Sequence, residues 1–326
     1  MTNLLIILIA FLVIATLVQI LRVGELLSEV RNLDVNKVTE KDNKTQSFLM
    51  GSVGILFLVS CVWQYFSWEH LMLPAASSEH GVTIDKLMAF TMILIIVVFF
   101  ILHIILFYFL YKYRKGDHND VAYYYPHNNK LELIWTIAPT IVLTVVILYG
   151  LSVWDQITNA DTSKSQVIEV YGKQFDWMAR YPGEDETLGS YNYKLVQGLN
   201  ALGVDMQDEA SLDDKLTREL HLVVDEPVLL KLRSQDIIHS AFLPHFRVQM
   251  NCVPGMSTQF AFTPTKTTSE MKEQEGDSFE YVLLCNKICG AAHYNMQMKV
   301  VVETQEEYDN WLSQKNTLSE KLITKK

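Results

Sequence analysis

The residues with the clearest chemistry lie in one short segment near the end of the chain. Cys285, Cys289, His293 and Met296 fall within twelve residues, in the order Cys-Asn-Lys-Ile-Cys-Gly-Ala-Ala-His-Tyr-Asn-Met. Sulfur and imidazole ligands together select copper, and the single methionine favours copper over zinc. Two thiolates suit a pair of copper ions that share both sulfurs. The segment therefore predicts a dinuclear copper site.

Other interpretations explain less of this segment. A disulfide would suit an oxidising compartment but leaves His293 and Met296 without a role. Covalent haem attachment needs Cys-x-x-Cys-His, whereas three residues separate these cysteines and Gly290 follows the second. A zinc site would lack a fourth hard or thiolate ligand, and a mononuclear blue-copper site needs only one cysteine.

One further ligand must come from elsewhere in the chain. His239, in Ile-Ile-His-Ser at the predicted end of a strand, is the candidate, because cupredoxin-type sites take one histidine from an upstream strand. His245 competes, but the sequence after Pro244 is typical of the surface face of the next strand. Cys61, in a predicted span, and Cys252, beside a turn, are interpreted as inert packing residues.

The ligand segment lies between two predicted strands that can impose its geometry. From residue 166 onward, about seven short stretches rich in β-branched residues alternate with turn formers, without convincing helices between them. This pattern predicts an antiparallel Greek-key sandwich or barrel. Residues 183–219 are acidic and are predicted to form a partly helical insertion on its surface. The predicted strands are VIEVYG, FDWMARY, HLVVDEPVLLKLR, FRVQM, TQFAFT, FEYVLL and MKVVVE.

The first half of the chain is apolar enough to lie in a membrane. Four runs approach or exceed the length that spans a bilayer: residues 4–21, 48–66, 89–111 and 134–153. The first is expected to be an uncleaved anchor, because no basic residue precedes it and Arg22 follows at once. We therefore predict an extra segment with two spans and a cytoplasmic loop (1–66), a helical hairpin (67–155) and an exported domain (156–326).

Basic residues set the predicted orientation. Residues 22–47 carry five lysines and arginines, whereas residues 67–87 carry only Lys86, so the first loop is expected to be cytoplasmic. The C-terminal half is then outside, with Trp135 and Trp154 anchoring the ends of the last span. Residues 155–326 hold 26 acidic and 17 basic side chains. Such an excess suits a basic protein partner and argues against nucleic acid.

Several motifs together resemble subunit II of the cytochrome c oxidases, over residues 90–303. They are LELIWT at 131–136, GKQFDW at 172–177, DIIHS at 236–240, VPG at 253–255 and the cysteine segment. The resemblance implies a cupredoxin domain with the copper A centre, which accepts single electrons from cytochrome c. It passes them to haem in subunit I, where oxygen is reduced to water and protons are pumped.

The resemblance also implies roles for single residues. One copper would take His239 and Met296, the other His293 and the main-chain carbonyl of Lys287, with Cys285 and Cys289 bridging both. Haem and further copper would belong to subunit I. Subunit III, cytochrome c and membrane lipid are the other expected partners, in a bacterial-type inner membrane with the copper domain on the periplasmic side.

Three further residues are interpreted through the resemblance. Glu132 matches the acid at which protons enter one channel, although a helix-start residue favoured by the dipole is the alternative, worth roughly 0.3–1 kcal/mol. Phe175 replaces the tryptophan that accepts electrons, which leaves Trp177 as the nearest indole unless it is a core residue. Lys287 replaces a magnesium-binding glutamate, and its ammonium group cannot ligate a cation. We therefore expect no side-chain magnesium ligand from this chain.

Two other functions remain open at this point. A copper-bearing subunit of a nitric oxide reductase would use similar ligands with another terminal acceptor. A membrane-tethered copper carrier or sensor would need exchangeable ligands, whereas this segment is held between strands. Quinol-oxidase relatives lack the copper ligands. His103, inside the third span, is expected to make an interhelical hydrogen bond and receives no role.

Overall fold

The computed structural model describes residues 2–31, 38–116, 123–159, 165–198 and 200–323. The chain divides into two compact units, one of residues 1–66 with 96–127, the other of residues 67–95 with 128–326. Lys37, one of the five basic residues used to orient the first loop, lies outside the described residues.

Among the described residues, four helices are long and apolar enough to cross a membrane, which confirms the four predicted spans. They are α1 (Thr2–Val30), α2 (Glu40–Trp68), α3 (Glu79–Lys112) and α4 (Asn129–Thr158). Pro139 lies inside α4 without ending it. His103 was expected to make an interhelical hydrogen bond. Its Nδ1 instead lies 2.7 Å from the carbonyl oxygen of Phe99 in its own helix.

The second unit contains a sandwich of two five-stranded sheets, as predicted. One sheet has the order β3-β2-β1-β5-β8 and the other β4-β10-β9-β6-β7. The strands are β1 (Gln166–Lys173), β2 (Asp176–Tyr181), β3 (Lys215–Thr217), β4 (Glu219–Val223), β5 (Val228–Ser234), β6 (His239–Leu243), β7 (Val248–Cys252), β8 (Thr258–Phe262), β9 (Tyr281–Cys285) and β10 (Gln297–Glu303). The core between the sheets is apolar, and includes Ile168, Val170, Leu230, Leu283 and Val300.

Two features of the strands differ from the predicted pattern. The pairs β1 with β5 and β10 with β4 are parallel, so the sandwich is not wholly antiparallel. Such pairs need long connections, which residues 174–227 supply for the first pair. The predicted strand HLVVDEPVLLKLR is two strands, because Asp225 turns the chain with φ 60°.

Three further helices are present among the described residues, of which only the first lies between strands, contrary to the prediction; the other two follow β10. The three are α5 (Thr268–Glu275), α6 (Gln305–Ser313) and α7 (Leu318–Ile323). A capping box begins α5 at Thr267 with Glu270, and another begins α6 at Thr304 with Glu307. In each, threonine and glutamate satisfy each other's backbone N–H groups, which would otherwise lack partners.

The predicted insertion is mostly irregular, with two single 3-10 turns at Tyr193–Leu195 and Glu209–Ser211. Buried ionisable groups hold it against the first sheet. Arg180 donates to Glu169 at 2.6 Å and to Asp214 at 2.9 Å, and Arg233 also donates to Glu169. The insertion therefore contributes buried groups and is not only a surface addition.

The sandwich is also fixed to the ends of α3 and α4. Arg247, at the turn after β6, pairs with Asp85 of α3 through Nε and Nη2 at 2.8 and 2.9 Å. Gln259 of β8 donates to the carbonyl oxygen of Thr158 at 2.6 Å, and Ile157 is buried in the core. The polar first turns of α3, which precede the predicted apolar run, therefore pack on the sandwich.

Candidate metal centre

The structure holds the cysteine segment at both ends. Cys285 is the last residue of β9 and Met296 directly precedes β10. These strands pair, and the N–H of Cys285 donates to the carbonyl oxygen of Met296 at 3.0 Å. His239 begins β6, rather than ending a strand as predicted, and β6 pairs with β9 beside Cys285. Two neighbouring strands thus present the histidine and the first cysteine side by side.

The six groups predicted as copper ligands lie close together. The two sulfurs of Cys285 and Cys289 are 3.8 Å apart. Cys285 Sγ lies 3.7 Å from His239 Nδ1 and 3.3 Å from the Lys287 carbonyl oxygen. Cys289 Sγ lies 3.5 Å from His293 Nδ1 and 3.7 Å from Met296 Sδ. Ligands on one tetrahedral ion with bonds of about 2.3 Å are roughly this far apart.

The surroundings of these groups suit a soft metal. His239, Cys289 and Met296 are buried, with at most 2% of their surface exposed. Burial, followed by the neighbouring Cys285, raises the pKa of the Cys289 thiol to about 11. Without a metal this thiol therefore keeps its proton at neutral pH, and a thiophilic ion must displace it. Two thiols, two imidazoles and a thioether fit copper.

A carboxylate that the sequence analysis did not single out supports His239. Asp236 Oδ1 lies 2.8 Å from His239 Nε2. Partial burial raises the pKa of Asp236, but hydrogen bonds from Gln174, His239 and Ile237 outweigh this and lower it below its usual value. Its position three residues before the histidine, in the same turn, was the available signal.

The structure places Trp177 in the core. This side chain is fully buried and packs edge-on against His239, with ring centroids 5.9 Å apart. A side chain without exposed surface makes no direct contact with a donor, which agrees with the alternative of a core residue. Phe175 is 36% exposed. It covers Gly290, where any added Cβ would lie 2.8 Å from Phe175 Cζ.

Neither Glu132 nor His245 is among the groups that converge on the cysteine sulfurs, whereas Cys252 lies beside one of them. Glu132 is in the first turn of α4, 25 residues before Ile157, which corresponds to about 37 Å along a helix. His245 packs edge-on against Phe279 and Tyr281, and burial lowers its pKa. Cys252 is buried opposite His239 in the β6–β7 pair.

Comparison with known proteins agrees with these features. Residues 66–153 match the family "Cytochrome C oxidase subunit II, transmembrane domain", and residues 166–305 match "Cytochrome C oxidase subunit II, periplasmic domain". The alternative cytochrome c oxidase subunit 2 of Bradyrhizobium diazoefficiens is 32% identical over 65% of this chain and 73% of its own length. Cytochrome c oxidase subunit 2 of Cereibacter sphaeroides is 26% identical over 81% of this chain and 89% of its own length. The chain therefore belongs to the cytochrome c oxidase subunit II family.

Proposed function

We propose that this chain is the copper A subunit of a cytochrome c oxidase, which accepts single electrons from cytochrome c and relays them to haem in subunit I. Oxygen is reduced to water there, with proton pumping. The observation that carries the proposal is the convergence of six ligand groups, from β6 and the β9–β10 segment, within 3.3–3.8 Å of a cysteine sulfur. Two copper ions bound here would share one electron, which keeps reorganisation small.

The family resemblance implies a division of roles among these groups. Cys285 and Cys289 would be shared by both ions. His239 and Met296 would hold one ion, and His293 and the Lys287 carbonyl would hold the other. The carbonyl role needs no particular side chain, so the lysine at this position is compatible with copper binding.

Electrons are accepted at Phe175. Its ring is partly exposed and covers Gly290, the residue after Cys289. The preceding residue, Gln174, donates from Nε2 to the Cys289 carbonyl oxygen at 2.5 Å. The exposed ring thus lies against the residue that follows Cys289, and the residue before the ring is hydrogen-bonded to the Cys289 carbonyl. Trp177 is buried in the core.

Protons are taken up at Glu132. Asn128 caps α4 by accepting from the N–H of Leu131 at 3.1 Å, so Glu132 is not needed as the cap. This carboxylate lies at the end of α4 remote from the copper domain, where a carboxylate on the cytoplasmic side could receive protons. It would pass them to subunit I.

Lys287 contributes no magnesium ligand. Its side chain is exposed in this chain. In the assembled oxidase we expect it to pair with a carboxylate of subunit I, because a buried unpaired charge is costly.

The complex would further include subunit III and lie in a bacterial inner membrane, with the copper domain on the periplasmic side.

Stopped-flow experiments on the purified oxidase test these assignments together. Glu132→Ala should slow oxygen reduction at least tenfold while copper content and copper reduction by cytochrome c stay unchanged. Phe175→Ala should slow copper reduction without changing copper content. Wild-type oxygen turnover in the first variant would reject the proton role, and wild-type copper reduction in the second would reject Phe175 as the acceptor.

A further inference from the structure

We propose that Asp236 is a positioning residue for the copper centre. Its carboxylate holds the proton of His239 on Nε2, directs Nδ1 to the metal and makes the imidazole a stronger donor. The reduction potential of the centre should therefore depend on Asp236. This inference rests on the proposed function, because it requires that His239 is a copper ligand.

The two nitrogens of His239 face different partners. Nδ1 lies 3.7 Å from Cys285 Sγ, and Nε2 lies 2.8 Å from Asp236 Oδ1. A carboxylate accepts hydrogen bonds and cannot donate one, so Nε2 must carry the proton. The lone pair is then on Nδ1, the nitrogen that faces the sulfurs. Carboxylates in this position fix the tautomer and raise the basicity of metal-ligating histidines.

The carboxylate is itself held by the backbone. Ile237 N–H donates to Oδ1 and Gln174 N–H donates to Oδ2, both at 2.8 Å. Each oxygen of Asp236 thus has a fixed N–H donor in addition to the histidine. The group is oriented before any metal binds.

Packing leaves the His239 ring little room to turn. A Cβ added at Gly172 would lie 3.3 Å from His239 Cδ2 and 2.8 Å from Trp177 Cζ3. The Trp177 ring closes the same side, inclined at 65°. Packing fixes where the ring lies, but it does not decide which nitrogen carries the proton. The hydrogen bond to Asp236 decides which nitrogen carries the proton.

The arrangement is asymmetric between the two histidines. In the part of the chain that the structure describes, no carboxylate is hydrogen-bonded to the His293 ring. The ion on the side of His239 should therefore have the more electron-rich imidazole. Removing the Asp236 charge should affect mainly this ion.

Asp236→Asn in the purified oxidase tests the inference. Asparagine keeps the shape and one acceptor oxygen, but it loses the charge and can accept only one of the two backbone hydrogen bonds. We expect two copper ions per chain, a higher reduction potential and an altered copper electron paramagnetic resonance spectrum. Copper affinity, measured by competition with a chelator, should fall roughly 10–100-fold, as is typical when such partners are removed.

Asp176→Asn is the matched control. Asp176 begins β2, its side chain is 32% exposed against 30% for Asp236, and it pairs with Arg218 at 3.2 Å. The Asp176→Asn substitution removes an equal charge but does not affect a histidine ligand. The reduction potential and the spectrum of this variant should therefore stay near those of the wild type. Equal potentials, spectra and copper affinities in the two variants would overturn the inference.

Two further outcomes are distinguishable. If the asparagine variant does not assemble, Asp236→Ala decides, since it removes both the charge and the acceptor of the His239 Nε2 hydrogen bond. A wild-type potential and spectrum in that variant would overturn the inference. A wild-type oxidase that lacks a dinuclear centre would instead refute the proposed function, on which the inference depends.

Discussion

At the scale of single residues, the cysteines of the copper domain differ in their surroundings rather than in their burial. Cys285 and Cys289 face imidazole and thioether groups, whereas Cys252 faces the sandwich core. Burial raises the pKa of Cys252 to about 12, so its thiol stays protonated at neutral pH. Inert buried thiols act as small apolar groups.

Serine substitutions should separate these roles. Cys285→Ser or Cys289→Ser should abolish the copper signal, because each removes one of the two sulfurs that we propose both ions share. Cys252→Ser should retain the full copper content with at most a modest loss of stability. Copper analysis and optical spectra of the purified oxidase check this, and copper loss in Cys252→Ser comparable to that in Cys285→Ser would contradict it.

Asp214 should make stability depend on pH. Burial raises its pKa from 3.8 to about 7, against the opposing effect of Arg180. The folded state thus favours the protonated carboxyl. The stabilisation that the protonated Asp214 gives the folded state is complete below pH 3.8 and is lost as pH rises through about 7. The loss lowers the free energy of unfolding by no more than ~4 kcal/mol.

Asp214→Asn should remove that dependence. The amide keeps a hydrogen-bonding group at this position but does not ionise. We expect the wild type to be less stable at pH 8 than at pH 5, with a much smaller difference in the variant. Urea unfolding of the purified chain at both pH values measures this, and equal pH dependence in the two proteins would contradict the assignment.

The ligand residues could be predicted from sequence because their types and spacing are specific to a metal. Trp177 and Asp236 could not be assigned in the same way. Whether an indole in a strand faces the core or the solvent depends on how the strand pairs with its neighbour. In this chain Trp177 of β2 lies opposite Gly172 of β1. The role of Asp236 depends on a turn that brings its carboxylate back to His239.

At the scale of elements, the join between α3 and the sandwich carries one strong ion pair. Arg247 has only 7% of its side chain exposed and binds Asp85 with two nitrogens. It also donates to the carbonyl oxygens of Pro244 and Pro74 at 2.6 and 2.5 Å. Bidentate hydrogen bonds between two charged groups, such as this one, are stronger than ion pairs exposed to solvent.

Arg247→Met should therefore destabilise the copper domain by about 1–3 kcal/mol, since it leaves Asp85 and two carbonyls without their donor. Arg218→Met is the control, because Arg218 is 76% exposed in its pair with Asp176. That change should cost less than about 0.5 kcal/mol. Denaturant unfolding followed by tryptophan fluorescence compares them, and equal effects would contradict the assigned importance of this join.

The long elements were predictable and the short ones were not. Apolar runs identified all four spanning helices, but the start of α3 at Glu79 depends on contacts with the sandwich. β6 was misplaced, because the strand expected here ended at His239 and residues His239–Leu243 have little of the alternation that marks a strand. The capping pairs Thr267 with Glu270 and Thr304 with Glu307 were visible in the sequence and would have indicated α5 and α6.

At the scale of the whole molecule, charge should guide the donor. The chain has a formal net charge of −10. A basic cytochrome c should therefore associate faster at low ionic strength, roughly tenfold faster at 10 mM than at 150 mM salt. Stopped-flow reduction of the oxidase at several salt concentrations measures this. A rate that does not change, or that increases with salt, would contradict electrostatic steering.

The copper centre itself is tested most directly by counting metal and spin in the same sample. The purified oxidase should contain two copper ions per copy of this chain beyond those of the partner subunits. Its electron paramagnetic resonance spectrum should show one unpaired electron shared by two copper nuclei. One copper ion per chain, with the four-line signal of a single nucleus, would contradict the assignment of His239, Cys285, Cys289, His293 and Met296 to a dinuclear site.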